Sequence, residues 1–427
     1  MKSTSNPPRL YARLGPGLIT GAADDDPSGI ATYSQAGAQF GYGMVWTLLL
    51  TTPLMIGIQM LSARIGWVTG QGLASNINKM CPRWLSIALV LLLVVANTIN
   101  IAADIGAMAE AVRLLIGGSR VLYIIGFGML CMACQLFLNY ERVVRILKWL
   151  TLGLFAYVAV ILTVSVPWKR AIVESLQPWA FNHPSISYGT YAAMVVAVLG
   201  TTISPYLFFW QAAQEVEDNR RRPDAMELKK HPAYTAEHLS RIKADTFIGM
   251  GFSNIIALCI MLATAVTLNQ NGITQIQTAS QAAEALRPVA GDFAFALFAL
   301  GIIGTGLLAV PVLSGSAAYA VSEVAGWKSG LSNGFKDARG FYLIIAMATG
   351  LGTLMSLFEL DPIKALLWSA IVNGVISVPI MVVMMLIGQS KAIMGELTMS
   401  TRHRFFGWSA TFVIGLAVLL MFVTFQI

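Results

Sequence analysis

The chain has 427 residues, of which 56% are hydrophobic and only 11% charged, and it carries a net charge of +7. A water-soluble domain has about 25% charged residues, so lipid rather than water must cover most of this surface. The excess of positive charge does not indicate nucleic acid, because the basic residues sort to one side of a membrane.

Eleven apolar segments of spanning or near-spanning length follow one another: Gly15–Tyr33, Gly43–Gly66, Trp84–Val112, Arg120–Leu138, Val143–Val166, Tyr188–Ala213, Ile242–Leu268, Gly291–Val321, Phe341–Phe358, Ile363–Gly388 and Phe405–Ile427. A helical crossing takes roughly 20 apolar residues, and runs of this length satisfy their backbone in lipid as helices. With residues 1–14 placed in the cytoplasm, 22 of the 28 Lys and Arg fall on the inside. The six on the outside are Arg113, Arg120, Lys169, Arg170, Arg287 and Lys364. This asymmetry is expected of eleven crossings in the cell inner (plasma) membrane, with the N-terminus cytoplasmic and the C-terminus outside. Residues 1–14 are polar and basic and lack a cleavage site, so no cleavable signal peptide is expected.

The longest polar stretch, Gln214–Lys243, is predicted as a solvated loop with at most one short helix. Cys131 and Cys134 form a C-x-x-C inside an apolar run with no second ligand pair, which reads as two thiols on one helix. All four histidines, His183, His231, His238 and His403, fall in predicted loops. A P-loop, a haem motif, an H-E-x-x-H and a nucleophile–base set are all missing from the sequence. The expectation is a protein that is not an enzyme and needs no cofactor.

The first segment contains Asp24-Asp25-Asp26-Pro27-Ser28-Gly29. Carboxylates at membrane depth are expensive and mark function. Successive helical residues point about 100° apart, so at most one or two of the three can aim at one site. Pro27 removes a backbone donor and Gly29 tolerates unusual torsions, so together they break the helix. A plainer alternative makes Asp26 an N-cap at the membrane surface, with Pro27 at the first helical position. A second interruption, Gly200-Thr201-Thr202-Ile203-Ser204-Pro205-Tyr206, lies in segment six. Alone it would be a proline kink. However, Pro27 and Pro205 each fall in the first segment of a five-segment half, and paired breaks of this kind point to a midplane binding site between inverted repeats. The predicted fold is therefore an all-α integral membrane protein of eleven transmembrane helices. Residues 15–427 form one domain with repeat one at about 15–166, repeat two at about 188–388, broken helices 1 and 6, and an extra helix at 405–427.

The run Gly15-Pro16-Gly17, Asp26-Pro27-Ser28-Gly29 and Gln39-Phe40-Gly41-Tyr42 resembles the first segment of the Nramp family of divalent-metal transporters. The resemblance covers segments one to eleven and is specific only in segments one and six. It implies the inverted-repeat fold of amino-acid transporters and a divalent metal ion as substrate. The family's first-segment motif is D-P-G-N, with Asp and Asn as ligands; here Asp26 matches and Gly29 stands in place of Asn. Its sixth-segment motif is A-x-x-M-P-H, with the Ala carbonyl and Met sulfur as ligands; here Thr201, Ser204, Pro205 and Tyr206 occupy those places. Its third segment carries Asp and then Glu; here Asp104 is followed by Ala107. These departures resemble the Nramp-related magnesium transporters.

The implied metal ligands are Asp26, Gly29, Thr201 and Ser204. Losing a thioether at Ser204 removes a preference for soft ions, and Gly29 is expected to open space for a partly hydrated Mg2+. Asn373 in segment ten reads either as a residue lining the pathway or as one side of a helix–helix hydrogen bond. Asp24 and Asp25 are expected to face an aqueous vestibule, or to stay partly protonated through mutual repulsion. With Tyr206 where the family has His, proton coupling is not expected, and Asp104 remains as a possible relay. The expectation is Mg2+ transport with Mn2+ alongside, by alternating access in the lipid bilayer. The alternatives are a proton-coupled Mn/Fe importer and an organic-solute symporter of the same fold. Oligomeric state is not legible.

Overall fold

The computed structural model describes residues 16–137, 151–177, 187–220, 232–358 and 361–424. The predicted cytoplasmic segment 1–14, His183 and His231 lie outside the described residues. In chain order the principal helices are α1 (Pro16–Asp24), α2 (Pro27–Phe40), α3 (Val45–Thr69), α4 (Leu73–Met80), α5 (Arg83–Ile116), α6 (Arg120–Phe137), α7 (Phe155–Thr163) and α8 (Trp168–Ser175). They continue as α9 (Tyr188–Thr202), α10 (Pro205–Arg220), α11 (Pro232–Thr267), α12 (Ala294–Ala325), α13 (Arg339–Ser356), α14 (Pro362–Gln389) and α15 (Thr401–Thr424).

Helix is present in each of the eleven predicted segments, and segments one and six are each split in two. Among the described residues eight helical stretches are individually long and apolar enough to cross a membrane. A ninth results if α7 and α8, bent by 120°, are counted together. The difference from eleven is physical. α1 has only nine residues, and α2 runs on into α3, so that Pro27–Thr69 counts as one stretch. Segment five falls partly on 138–150, outside the described residues. α13 is 18 residues long and diluted by Gly and Thr.

The exterior is apolar. Trp84, Leu91, Val95, Phe405, Phe412 and Phe422 are all exposed, an arrangement that lipid covers and water does not. Cys131 and Cys134 are free thiols on α6, as predicted. The polar stretch after segment six is less of a loop than predicted: α10 runs to Arg220 and α11 starts at Pro232. His238 therefore lies in α11 and His403 in α15, contrary to the loop assignment. Hydropathy marks where the apolar run ends, whereas a helix continues as long as its backbone bonds and side chains find partners. For α11 those partners are aromatic and ionic: His238 stacks on Trp67 with ring centroids 4.8 Å apart, and Arg241 bonds the buried Glu215 at 2.8 Å and approaches Asp218 at 3.4 Å.

Small residues set the packing that positions the breaks. A Cβ on Gly21 of α1 would stand 2.3 Å from the carbonyl carbon of Gly249 on α11, and one on Gly249 would stand 2.2 Å from the Gly17 carbonyl oxygen. Helices in lipid associate through such close approaches. The Asp245 carboxylate of α11 also accepts from the Gly17 and Leu18 amides at 2.7 and 3.2 Å, satisfying the open N-terminus of α1. On the other side, α9 meets α14 where a Cβ on Gly200 would lie 2.2 Å from the Ala370 carbonyl oxygen.

Gly21→Ala is expected to destabilise the protein by about 1–3 kcal/mol through overpacking. The measurement is thermal melting in detergent, with Gly126→Ala as control, since a Cβ there meets nothing within 4 Å. Equal melting of the two variants would count against this packing.

Candidate functional site

Both breaks follow from their sequences. After α1 ends at Asp24, Asp26 takes extended torsions (φ −70°, ψ 170°) and caps α2, whose first residue is Pro27. Asp26 Oδ1 accepts the Gly29 amide at 2.7 Å. The N-cap alternative is thus half right: Asp26 is a cap, yet only 2% exposed and deep in the bundle. Its second oxygen, Oδ2, accepts the Asn100 amide nitrogen of α5 at 3.0 Å and the Tyr206 hydroxyl of α10 at 3.3 Å. Tyr206 has one hydroxyl hydrogen and also reaches the Ala23 carbonyl at 3.1 Å, at the end of α1.

At the second break α9 stops at Thr202 and α10 restarts at Pro205. The Ser204 hydroxyl turns back to the Gly200 and Thr201 carbonyls at 2.8 and 2.9 Å, which satisfies acceptors that the broken helix would leave open. The two breaks touch. Thr201 Oγ1 lies 3.2 Å from where a Gly29 Cβ would be, and the Tyr33 and Thr202 hydroxyls are 3.3 Å apart.

Two expectations need correction, and both readings of Asn373 stand. The room expected beside Gly29 is not there, because the Thr201 hydroxyl, the Asp24 carbonyl and the Tyr33 ring already surround it at 3.2–3.4 Å from a Cβ position. Asp24 and Asp25 do not face a vestibule; they are 0% and 2% exposed and share the Ser253 hydroxyl of α11 at 2.6 and 3.1 Å. Asn373 is buried on α14 with its carbonyl oxygen unpartnered, so that oxygen makes no helix–helix hydrogen bond. Asp104 is wholly buried on α5 with neither oxygen hydrogen-bonded.

Sequence reasoning missed Asn100, which touches Asp26 directly and whose own oxygen accepts from Ser369 of α14 at 2.7 Å. The signal was present: Asn97, Asn100 and Asp104 recur at helical spacing within an apolar segment, which aligns them on one inward face.

Two cavities lie toward opposite ends of the bundle. On the side poor in Lys and Arg, a cavity of about 70 Å³ is lined by Ile30, Ser34, Glu110 and Ile363, among others. On the basic side, a cavity of about 240 Å³ is lined by Gln71, Glu217, Tyr319 and Glu323, among others. Asp26 lines neither.

Broken first and sixth helices meeting at a buried carboxylate, within two inverted five-helix repeats and a further C-terminal helix, define an integral membrane protein of the amino-acid-transporter-like fold. Residues 17–424 match the family described as Natural resistance-associated macrophage protein-like, or Nramp. The chain belongs to the Nramp family. It is 26% identical to a divalent metal cation transporter MntH of Aeromonas hydrophila over 71% of this chain and 72% of that protein. It is 25% identical to the protein of the same name from Caldanaerobacter subterraneus over 96% and 93%. Among solved structures, the Eremococcus coleocola manganese transporter superposes with a TM-score of 0.75 at 17% identity, covering 98% of this chain and 88% of that one. The nucleobase-cation-symport-1 transporter Mhp1 superposes at 0.54 and 14% identity, covering 99% and 96%. Both are likenesses of fold.

Asn100→Leu removes the amide from Asp26 while roughly keeping volume. Partners that orient a metal-binding group typically contribute 10–100-fold, so divalent-ion affinity, measured by calorimetry, is expected to fall by about that factor. Unchanged affinity would leave Asn100 a purely structural residue.

Proposed function

We propose that this chain carries Mg2+, and Mn2+ alongside it, across the inner membrane by alternating access around Asp26, without coupled proton movement. The observation that carries this reading is the environment of Asp26 Oδ2. It is a buried carboxylate oxygen where the two helix breaks meet, and its partners are neutral hydrogen-bond donors from α5 and α10. The MntH relatives support the divalent-cation class.

A cation arriving at Oδ2 requires both donors to withdraw their hydrogens. The Tyr206 hydroxyl falls back on the Ala23 carbonyl, already within reach. A half-turn of the Asn100 amide brings its oxygen forward in place of its nitrogen, supplying the amide ligand that Gly29 lacks. The ligand set then consists of Asp26 and Asn100 oxygens, with the Thr201 hydroxyl beside the Gly29 backbone and Ser204 holding the α9 carbonyls in place. These are hard oxygen donors, suited to a small ion that gives up water reluctantly. Because Gly29 offers no free volume here, room for a hydrated ion comes from opening toward one of the two flanking cavities. Asp104, one turn from Asn100 and without a partner, is the next acceptor for a cation leaving Asp26.

Membrane potential is a sufficient driving force. Each charge gains about 2.3 kcal/mol per 100 mV, so a divalent ion gains about 4.6 kcal/mol, a gradient of roughly a thousandfold. No histidine is needed at Tyr206 for such a uniport. The orientation proposed is that of the Lys/Arg asymmetry, with the basic end cytoplasmic and residues 15–427 acting as one transport domain.

In proteoliposomes, Mg2+ uptake is expected to follow an imposed potential without acidifying the lumen and to vanish in Asp26→Ala. Uptake of Mn2+ without Mg2+ would return the chain to soft-ion transport, and lumen acidification would rule out the uniport. Ser204→Met is expected to shift the Mn2+ to Mg2+ uptake ratio toward Mn2+; an unchanged ratio would sink the soft-ligand argument.

A further inference from the structure

A pocket at the basic end of the bundle has no part in the path through Asp26. It lies where α3, α11 and α15 converge, has a volume of about 230 Å³, and is lined by Met60, Leu61, Arg64, Lys243, Met399 and His403, among others. Two of these side chains, Arg64 and Lys243, are cations, and His403 adds an imidazole beside them. Arg64 is held in place by its Nε and Nη2 atoms, which donate to the Leu397 and Thr398 carbonyls at 2.9–3.2 Å. A guanidinium has five N–H donors, so its remaining nitrogen, Nη1, keeps donors for a ligand. His403 Nδ1 is 2.7 Å from the Ser400 hydroxyl, which leaves Nε2 free. Lys243 is exposed. Among the described residues no carboxylate forms an ion pair with Arg64, Lys243 or His403.

Like charges gathered around one cavity repel one another unless an anion joins them. α15 adds to the field, since it begins at Thr401 and its first-turn amides carry partial positive charge beside His403. Apart from Ser240 the remainder of the lining is apolar: Met60 and Leu61 of α3, Leu239 and Ile242 of α11, and Met399 just before α15. A free phosphate has no use for that floor, whereas a lipid needs both halves, a cationic seat for its phosphate and an apolar wall for its chains. Basic pockets between transmembrane helices hold anionic headgroups by this combination.

We propose that this pocket binds the phosphate headgroup of an anionic phospholipid of the phosphatidylglycerol kind, drawn from the leaflet on the basic side. The bound lipid bridges the ends of α3, α11 and α15, and so fastens the extra C-terminal helix to both repeats. The inference depends on the pocket's charge and position and stands whichever ion the central site carries.

The test is native mass spectrometry of the full chain in detergent, with phosphatidylglycerol and phosphatidylcholine added in equal amounts. Preferential retention of phosphatidylglycerol is expected, and Lys243→Gln should weaken it about fivefold, the effect of one charge near the headgroup. Arg64 is left intact because it also holds the 397–398 backbone. Lys243→Arg keeps the charge and is expected to keep the preference, which separates loss of a ligand from loss of fold. Equal retention of the two lipids, or a preference unchanged in Lys243→Gln, would overturn the proposal. So would full displacement of phosphatidylglycerol by inorganic phosphate, which would identify the ligand as a free anion.

Discussion

The structure turns on one carboxylate with two tasks. Asp26 Oδ1 closes the open N-terminus of α2 through the Gly29 amide, while Oδ2 reaches across to α5 and α10. Within hydrocarbon a helix break is tolerable only if every freed backbone group finds a partner, and here side chains provide them. Tyr206 of the second break serves the Ala23 carbonyl of the first, and Ser204 serves the carbonyls at the end of its own half-helix. The first interruption is therefore completed partly by the second, and the second is closed by its own serine. The partial positive charge at the N-terminus of α2 also favours the anion that caps it, so one residue supplies both the cap and the charge.

Close backbone contact delivers the two breaks to each other. α1 is pressed onto α11 through Gly21 and Gly249, with Asp245 gripping its first amides. α9 is pressed onto α14 through Gly200 and Gly374. Side chains at these positions would hold the half-helices apart and open the Asp26 cluster. The glycines far from Asp26 thus set the geometry of this cluster as firmly as its hydrogen-bonding side chains do.

Much of this was legible in the sequence because its signals are local. Acids and prolines inside apolar runs mark breaks wherever they occur, and the spacing of the breaks gave the inverted repeat. What was not legible depends on which groups meet across the bundle. Asn100 looked like one polar residue among several in segment three, and only the fold shows that it faces Asp26. The absence of room at Gly29 depends on Thr201, a residue 172 positions away in the chain. His238 was assigned to a loop because composition reports the edge of the membrane, and α11 continues past that edge by stacking its histidine on Trp67.

The divergence of Asp24, Asp25 and Asp26 has a further consequence. Two of these acids turn to Ser253 of α11 and the third to Asn100 of α5 and Tyr206 of α10, so the carboxyl groups are divided among different helices. With Asp104, four buried carboxyl groups lie around this region, and among the described residues none forms an ion pair with Arg or Lys. Elsewhere the protein does pair a buried acid with a resident cation, as Glu215 does with Arg241. A resident Arg at Asp26 would satisfy it permanently, and removing such a partner typically costs 3–5 kcal/mol. Neutral donors bind an anion less strongly and can turn aside on a side-chain rotation. A carboxylate held this way is stable enough to fold around, and under the proposed function the same weak hold leaves it available to a positive charge.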